Sequence, residues 1–152
     1  MRKLLENMKK KQEGFTLIEL IIVIAILAII AAIAVPNILG AVDNSRKSTD
    51  VANAKIILNA AAQVKAKDAS LADAAGNYTI NASGVNAVTG TNAGVAAFAT
   101  ALQKELNNAG ITAKYKNAGA FTLAINGTDN TMTVSTSIGQ VAPNPDSDYD
   151  QD

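Results

Sequence analysis

Gly14 and Phe15 form the peptide bond in this sequence that is best placed for hydrolysis. Gly14 ends a charged stretch, and an apolar stretch begins at Phe15. A protease binds extended backbone and glycine resists helix formation, so the Gly14–Phe15 bond is a candidate cleavage site; the alternative is an ordinary linker glycine. A secretory signal has its cleavage site after the apolar region. A cut after Gly14 would instead remove the charges and keep the apolar segment.

Glu19 is an acid placed among apolar residues. A charged side chain inside a membrane costs roughly 2.5–3.5 kcal/mol on insertion scales. Cleavage after Gly14 would leave an ammonium group on Phe15, one helical turn from Glu19. That amine could pair with Glu19 of its own chain or of a neighbour. The alternative is a carboxylate that reaches the membrane interface or is protonated.

The segment that carries Glu19 is long enough to cross a membrane. Residues 15–35 are 21 positions, all apolar except Thr16 and Glu19. At about 1.5 Å per residue a helix of this length reaches roughly 31 Å, close to the roughly 30 Å thickness of the hydrocarbon layer. Because lipid leaves no other partner for backbone groups, the segment is predicted to be a helix.

Charge is distributed unevenly along the chain, although the formal net charge is zero. Residues 1–14 carry five basic and two acidic side chains, a net of +3, and the remainder carries 8 basic and 11 acidic side chains, a net of −3. The positive-inside rule predicts a cytoplasmic amino end and an exported remainder. The remainder has no basic footprint, so no nucleic-acid partner is expected.

The sequence contains no cysteine and no histidine. Disulfides, thiol catalysis, structural zinc sites and Ser-His triads are therefore excluded. Nothing in the remaining sequence places a base beside a nucleophile, so no enzyme activity and no cofactor are predicted.

Pro36 and Gly40 follow the apolar segment and weaken the helix locally. Helical periodicity then resumes, and the sequence predicts a second, amphipathic half that runs to about Ala75 and is capped by Gly76. Its predicted core-facing residues are Leu39, Val42, Ser45, Thr49, Ala52, Ile56, Ala60, Val64 and Leu71.

The rest of the chain predicts a small α+β head. Residues 76–92 are rich in Asn, Gly and Thr and are predicted to be a loop. A short amphipathic helix follows, marked by Val95, Phe98 and Leu102 and ended by Gly110. Three strands are predicted at 111–116, 120–126 and 131–138, with a hairpin loop at 127–130. They would form a three-stranded antiparallel sheet packed on the long helix. The domain scheme is leader 1–14, membrane helix 15–35, amphipathic half 36–75, head 76–142 and flexible acidic tail 143–152.

Alternating aspartates occupy the tail. Asp146, Asp148, Asp150 and Asp152 resemble the first half of a calcium loop, but no glycine turn or distal glutamate follows them. A solvated tail is the favoured interpretation, and the first three aspartates remain a weak calcium candidate. No other metal site is predicted.

Residues 9–40, which include the run KKKQEGFTLIEL and Pro36, resemble the signature of type IV pilins and of the pseudopilins of type II secretion. The resemblance implies that a membrane peptidase cleaves after Gly14 and methylates Phe15, and that Glu19 pairs with the amine of a neighbouring subunit. It also implies that the segment around Pro36 and Gly40 can melt as the subunit leaves the membrane; the alternative is a static kink. The implied partners are further copies in a helical filament, the prepilin peptidase and methyltransferase, an assembly platform and its ATPase.

Three functions are compatible with these features. The first is a structural subunit of an extracellular type IV pilus, stored in the cytoplasmic membrane with its amino terminus inside and then moved to a surface filament. The second is a pseudopilin of a type II secretion or DNA-uptake system, since Val35–Gly40 resembles that segment of secretion pseudopilins. The third is a membrane-tethered binding protein or enzyme that does not polymerise; it predicts an uncleaved amino terminus.

Overall fold

The computed structural model describes residues 14–71, 74–81, 84–89, 93–106 and 111–149, and the side chains of 86–89 and 93 are not described. The predicted leader, apart from Gly14, lies outside the described residues. The chain divides into two compact units, Met1–Gly40 and Ala41–Asp152.

Helix α1 spans Leu17–Lys67 and is the longest element. In the first unit, the large apolar side chains from Leu17 to Leu39 are between 45 % and 76 % exposed. The described residues of this unit therefore cover little of this surface. The prediction of a long helix through this region is confirmed, and Pro36 lies inside it.

In the second unit, α1 ends earlier than the sequence predicts. The helix stops at Lys67, followed by a 3-10 turn at Ala69–Leu71. Asp68 accepts hydrogen bonds from the backbone N–H and hydroxyl of Ser70, at 2.9 and 2.6 Å, which favours a turn over continued helix. The predicted end near Ala75 is wrong, and Gly76 begins a strand instead of capping a helix.

The sheet has five antiparallel strands, so the α+β class is confirmed and the predicted number of three strands is wrong. The strands are β1 (Gly76–Asn81), β2 (Gly84–Thr89), β3 (Phe121–Ile125), β4 (Met132–Ser135) and β5 (Gln140–Ala142), in the order β2-β1-β3-β4-β5. Tyr78 pairs with Leu123, Leu123 with Val134, and Val134 with Ala142. These four residues are buried, and they form a row across one face of the sheet.

Two regions differ from the predicted strand pattern. The predicted loop at 76–92 contains β1 and β2, because Tyr78 and Ile80 alternate with polar residues and fill the core. The predicted strand at 111–116 is wrong: it contains one bridge, Ala113 with Gly119, and leads into a 3-10 turn at Tyr115–Asn117. Lys116 has a φ of 46°, which breaks strand geometry.

Helix α2 spans Ala93–Glu105 and confirms the predicted short helix. Its Val95, Phe98 and Leu102 belong to the same core as the sheet. Gln103 accepts a hydrogen bond from the backbone N–H of Val85 on edge strand β2. A side chain of α2 thereby satisfies an otherwise free donor of the sheet edge.

The face that α1 turns toward the core agrees with the predicted stripe at Ala60 and Val64 and differs from it at the earlier positions. The buried residues of α1 are Asp50, Ala54, Ile57, Ala60, Ala61 and Val64. Val42, Ser45, Thr49, Ala52 and Ile56, which the periodicity assigns to the core, are exposed. Two apolar phases compete in this sequence, and the core takes Ala54, Ile57 and Ala61 beside the correctly predicted Ala60 and Val64.

The described part of the predicted tail, residues 143–149, contacts the head. Tyr149 is 1 % exposed, its ring meets that of Tyr115 edge-on at 5.5 Å, and its hydroxyl lies 2.9 Å from the Thr136 hydroxyl. An aromatic side chain can stabilise a polar segment in this way, which the acidic composition does not indicate. Residues 150–152 lie outside the described part of the chain.

Candidate functional site

The Gly14–Phe15 bond lies just before helix α1. Both residues are exposed and non-helical, and the Phe15 side chain is 84 % exposed. A Cβ atom added at Gly14 would meet no atom within 4 Å. Packing within the described residues therefore does not require glycine at this position.

Thr16 and Glu19 form a capping box at the start of α1. Glu19 Oε2 accepts hydrogen bonds from Thr16 N–H at 2.9 Å and from Thr16 Oγ1 at 2.7 Å. Glu19 N–H donates to Thr16 Oγ1 at 3.3 Å, and the Thr16 carbonyl accepts the N–H of Leu20. This reciprocal pattern satisfies backbone donors that a helix terminus otherwise leaves free.

Glu19 therefore caps the start of helix α1, in addition to its predicted pairing with an amine. In the uncleaved chain the Phe15 nitrogen is an amide, and the carboxylate bonds to Thr16. Among the described residues, no hydrogen bond reaches the other carboxylate oxygen, Oε1. Sequence reasoning missed Thr16, although the spacing Thr-x-x-Glu before an apolar run is the signal for this motif.

Pro36 and Gly40 are both helical in α1. Asn37 Nδ2 donates to the carbonyl oxygen of Ile33 at 3.3 Å, so a side chain adds a hydrogen bond near the position where proline removes one. A Cβ atom at Gly40 would meet nothing within 4 Å. Whether this segment melts stays a prediction.

The apolar part of α1 meets the requirements for a membrane span by length and composition. Its most apolar 18-residue window has a mean hydropathy of 3.2 and no buried residue. A helix that is apolar on every side and uncovered by its own chain needs lipid or other helices around it. A long apolar amino-terminal helix of this kind fits a membrane-anchored protein.

The aspartates of the tail point to different partners. Asp146 Oδ2 accepts the Gln140 N–H at 2.7 Å, and Asp148 pairs with Lys116 at 3.0 Å. Asp150 lies outside the described residues. Among the residues that the structure describes, no group of three or more acidic side chains is arranged to hold a metal.

Asp50 is a second residue whose role the sequence analysis missed. Its side chain is fully buried, and it accepts the backbone N–H groups of Lys114 and Tyr115 at distances from 2.8 to 3.0 Å. A buried carboxylate needs such donors to offset its loss of hydration. Asp50 therefore joins α1 to the segment that precedes β3, and its role is structural.

Comparison with known protein families finds a match at the amino-terminal end of the chain. Residues 9–35 match a family model described as the prokaryotic N-terminal methylation motif. This match contains the Gly14–Phe15 bond, the capping box and the whole apolar segment 15–35. No curated protein and no solved structure matches the chain significantly.

Proposed function

We propose that this chain, which carries at residues 9–35 the class III signal peptide of type IV pilins and pseudopilins, is the structural subunit of an extracellular type IV pilus. The motif supports a type IV pilin-like or pseudopilin protein, and the major pilus subunit is the form we favour. One observation carries the proposal: an exposed Gly14–Phe15 bond stands directly before a capped helix whose apolar surface is uncovered.

Processing is the first step. A membrane peptidase hydrolyses the Gly14–Phe15 bond, so that water adds its oxygen to the new carboxylate of Gly14 and a proton to the new amine of Phe15. The same enzyme then transfers a methyl group to that amine from a sulfonium methyl donor, which leaves as a thioether while the nitrogen loses a proton. The leader, with its net charge of +3, is removed and the apolar helix is kept.

Storage in the membrane is the state before assembly. The leader's basic residues hold the amino end in the cytoplasm, and α1 crosses the bilayer once with the head exported. Thr16 satisfies one Glu19 oxygen and caps the helix in this state, which lowers the cost of placing the helix start in an apolar medium.

Assembly adds an intermolecular contact at Glu19. Within the described part of the chain no hydrogen bond reaches Oε1, and the processed Phe15 supplies an ammonium donor. Pairing with the amine of a neighbour fixes the axial register of the incoming subunit, because charge-assisted bonds are strong where water is excluded. The apolar side chains of α1 then pack against further copies in the filament core.

The implied partners follow from this sequence of steps. They are the prepilin peptidase and methyltransferase, an assembly platform with its ATPase, and many copies of this chain. The family is a structural one, and no catalytic role is proposed for this subunit.

A pseudopilin of a type II secretion or DNA-uptake system is the second candidate. The run Val35–Gly40, with Pro36 and Asn37, is the feature that favours it. Copy number separates the two candidates, because a major pilus subunit is abundant and accumulates outside the cell.

Intact-mass measurement of the protein purified from its own cells tests the proposal. The expected product lacks Met1–Gly14 and carries one added methyl group. Recovery of that mass in long filaments sheared from the cell surface supports the pilus. A functional protein that keeps its leader contradicts it.

A further inference from the structure

The turn between β3 and β4 contains Asn126 followed directly by Gly127, and this is the one Asn-Gly pair in the sequence. Both residues are exposed to water, and so are the residues that complete the turn. Glycine has no side chain beside its own nitrogen, so its backbone amide is the least hindered one that a preceding asparagine can meet. The turn therefore combines access to water with an unhindered backbone nitrogen next to an asparagine side chain.

A hydrogen bond holds the Asn126 side chain over the backbone that follows it. Its Oδ1 atom accepts the backbone N–H of Thr128 at 2.9 Å, which is the pattern of an Asx-turn. This bond folds Cγ of Asn126 back along the chain, toward the nitrogen of Gly127. It also draws electron density from Cγ onto the oxygen, so Cγ is more open to attack by a nucleophile.

The nitrogen that would attack and the group that would leave have no hydrogen-bond partner among the described residues. No such bond involves the Gly127 N–H, whereas the N–H groups on either side of it are both used. The Asn126 N–H donates to the Thr131 carbonyl oxygen at 2.9 Å, and the Thr128 N–H donates to Asn126 Oδ1. The Asn126 Nδ2 atom likewise donates to no group in the described part of the chain. Reaction between them therefore does not first have to break a hydrogen bond of the fold.

We propose that Asn126 is a site of spontaneous deamidation, in which its side chain reacts with the backbone nitrogen of Gly127. That nitrogen forms a bond to Cγ, the Cγ–Nδ2 bond breaks, and ammonia leaves with the proton that the nitrogen gives up. Water then opens the resulting succinimide ring at one of its two carbonyl carbons. Opening at Cγ leaves an aspartyl residue, and opening at the backbone carbon leaves an isoaspartyl residue whose main chain runs through the former side chain. The reaction needs only water, and the inference does not depend on polymerisation.

The two products affect the turn differently. An aspartyl side chain still accepts the Thr128 N–H and adds one negative charge to the turn. An isoaspartyl residue lengthens the main chain by one carbon, which strains the bond of 3.1 Å from the Asn130 N–H to the Asn126 carbonyl oxygen. It also displaces Gly127, where an added Cβ atom would already come within 3.1 Å of the Ala75 Cβ. Conversion therefore records the age of the molecule as added negative charge, and the isoaspartyl form loosens the β3–β4 hairpin.

Asn117 provides a matched reference position in the same chain. It is exposed and is followed by Ala118, so the variant Ala118→Gly contains a second exposed Asn-Gly pair. The backbone N–H of Ala118 donates to the Tyr115 carbonyl oxygen at 3.1 Å, and this bond has to break before the nitrogen can attack. The fold therefore predicts slower deamidation at position 117 of this variant than at position 126.

Peptide mapping by mass spectrometry measures the conversion in the full chain, purified in detergent and incubated at neutral pH. Exchange of the side-chain NH₂ for OH adds about 1 Da to the peptide. In the wild type we expect Asn126 to convert at least about tenfold faster than any other asparagine of the described residues, because a side chain on the following residue hinders the attack. In Ala118→Gly, Asn117 should still convert at least about threefold more slowly than Asn126, because its attacking nitrogen is hydrogen-bonded.

Three results would overturn the inference. An Asn126 that stays intact while other asparagines convert would show that the turn protects it. Equal rates at positions 117 and 126 of Ala118→Gly would show that the hydrogen bonds of the fold do not control the reaction. A glycan on Asn126 in protein from its own cells would also contradict it, since residues 126–128 form a glycosylation sequon and a substituted Nδ2 no longer leaves as ammonia. None of these results bears on the proposed pilus, which leader removal and filament recovery test separately.

Discussion

The carboxylate of Asp50 accepts the backbone N–H of Tyr115 at 2.9 Å across 65 positions of sequence. The Tyr115 ring in turn contacts the Tyr149 ring. The Nζ atom of Lys47 lies 5.0 Å from the centre of the Tyr115 ring. Asp50 on α1 therefore fixes the segment before β3 by hydrogen bonding. That segment in turn packs, through Tyr115, against Tyr149 at the end of the described chain. These contacts connect three distant parts of the head.

Replacing Asp50 should destabilise the head. In Asp50→Asn the amide NH₂ presents donors where the carboxylate accepted two backbone N–H groups, and a buried donor left unpaired costs about 1–3 kcal/mol. We expect the thermal midpoint of the detergent-solubilised protein, followed by circular dichroism, to fall by several degrees. Asp43→Asn is the control, because Asp43 is exposed and its pair with Arg46 at 3.5 Å is exposed too. Equal midpoints for the two variants would contradict the role of Asp50.

Strongly alkaline solution should destabilise the head through Tyr78. Burial raises the pKa of Tyr78 to about 12, whereas a tyrosine in an unfolded chain titrates near pH 10. Between these values the native state binds more protons than the unfolded state, so the free energy of unfolding falls as pH rises. Below about pH 10 both states are protonated and this contribution is constant.

Urea unfolding on either side of pH 10 measures this effect, with Tyr78→Phe as the comparison. The variant loses the hydrogen bond from the Tyr78 hydroxyl to the Ala74 carbonyl oxygen, 2.7 Å long. Its free energy of unfolding at neutral pH should therefore be about 1 kcal/mol lower than that of the wild type. Its stability should then fall less steeply at high pH. Burial also raises the pKa of Tyr149, so part of the fall remains. An unchanged slope in Tyr78→Phe would refute the assignment.

Tyr149 should contribute to stability although it lies in a segment of tail-like composition. Truncating a buried aromatic side chain costs about 3–5 kcal/mol, so Tyr149→Ala should lower the free energy of unfolding by at least about 3 kcal/mol. Tyr149→Phe removes only the hydroxyl contact with Thr136 and should cost about 1 kcal/mol. Asp148→Asn is the neighbouring control, since its pair with Lys116 is exposed. Urea unfolding that gives the same value for Tyr149→Ala and Asp148→Asn would exclude a packed position for Tyr149.

Sequence reasoning succeeds for the elements that local chemistry determines. The apolar run fixes helix α1 through residues 17–35, and Val95, Phe98 and Leu102 mark α2 because their spacing is helical. The methylation motif is found because charge, glycine, acid and apolar run occur together in a short window. The turn at 127–130 is recognisable from its Gly-Thr-Asp-Asn composition.

Long-range contacts determine the elements that the sequence analysis misses. The segment at 111–116 has strand-like residues, but the bonds of Asp50 to two successive N–H groups draw it into a turn. Strands β1 and β2 are missed because their Asn and Thr residues are typical of a loop. Tyr78 and Ile80 nevertheless follow the two-residue period of a strand. On α1, periodicity cannot tell which of two apolar phases faces the sheet, since Ile56 and Ile57 are neighbours.

Substitution of Gly14 should block processing without disturbing the folded chain. A Cβ atom added at position 14 or 40 would meet no atom within 4 Å, so Gly14→Leu is matched with Gly40→Leu as a control. We expect intact-mass measurement to find the leader retained only in Gly14→Leu, because the peptidase must bind this residue in its own cleft. Normal removal of the leader from Gly14→Leu would show that the cleavage site lies elsewhere.

Glu19 combines a helix cap with a charge, and Glu19→Gln separates the two. Glutamine can keep the reciprocal hydrogen bonds with Thr16, since both Glu and Gln serve at this position of a capping box, but it carries no charge for the Phe15 ammonium. If the charge selects the incoming subunit, Glu19→Gln should be cleaved and methylated normally yet give at least about tenfold less filament, since burying the unpaired ammonium is costly. Thr16→Ala removes the cap and keeps the acid, and loss of a cap costs only about 0.5–2 kcal/mol, so its filament yield should fall less.

Electron microscopy of sheared filaments, with intact mass of the membrane pool, measures both steps. Normal filaments from Glu19→Gln together with few from Thr16→Ala would reverse the assignment and leave Glu19 as a cap alone.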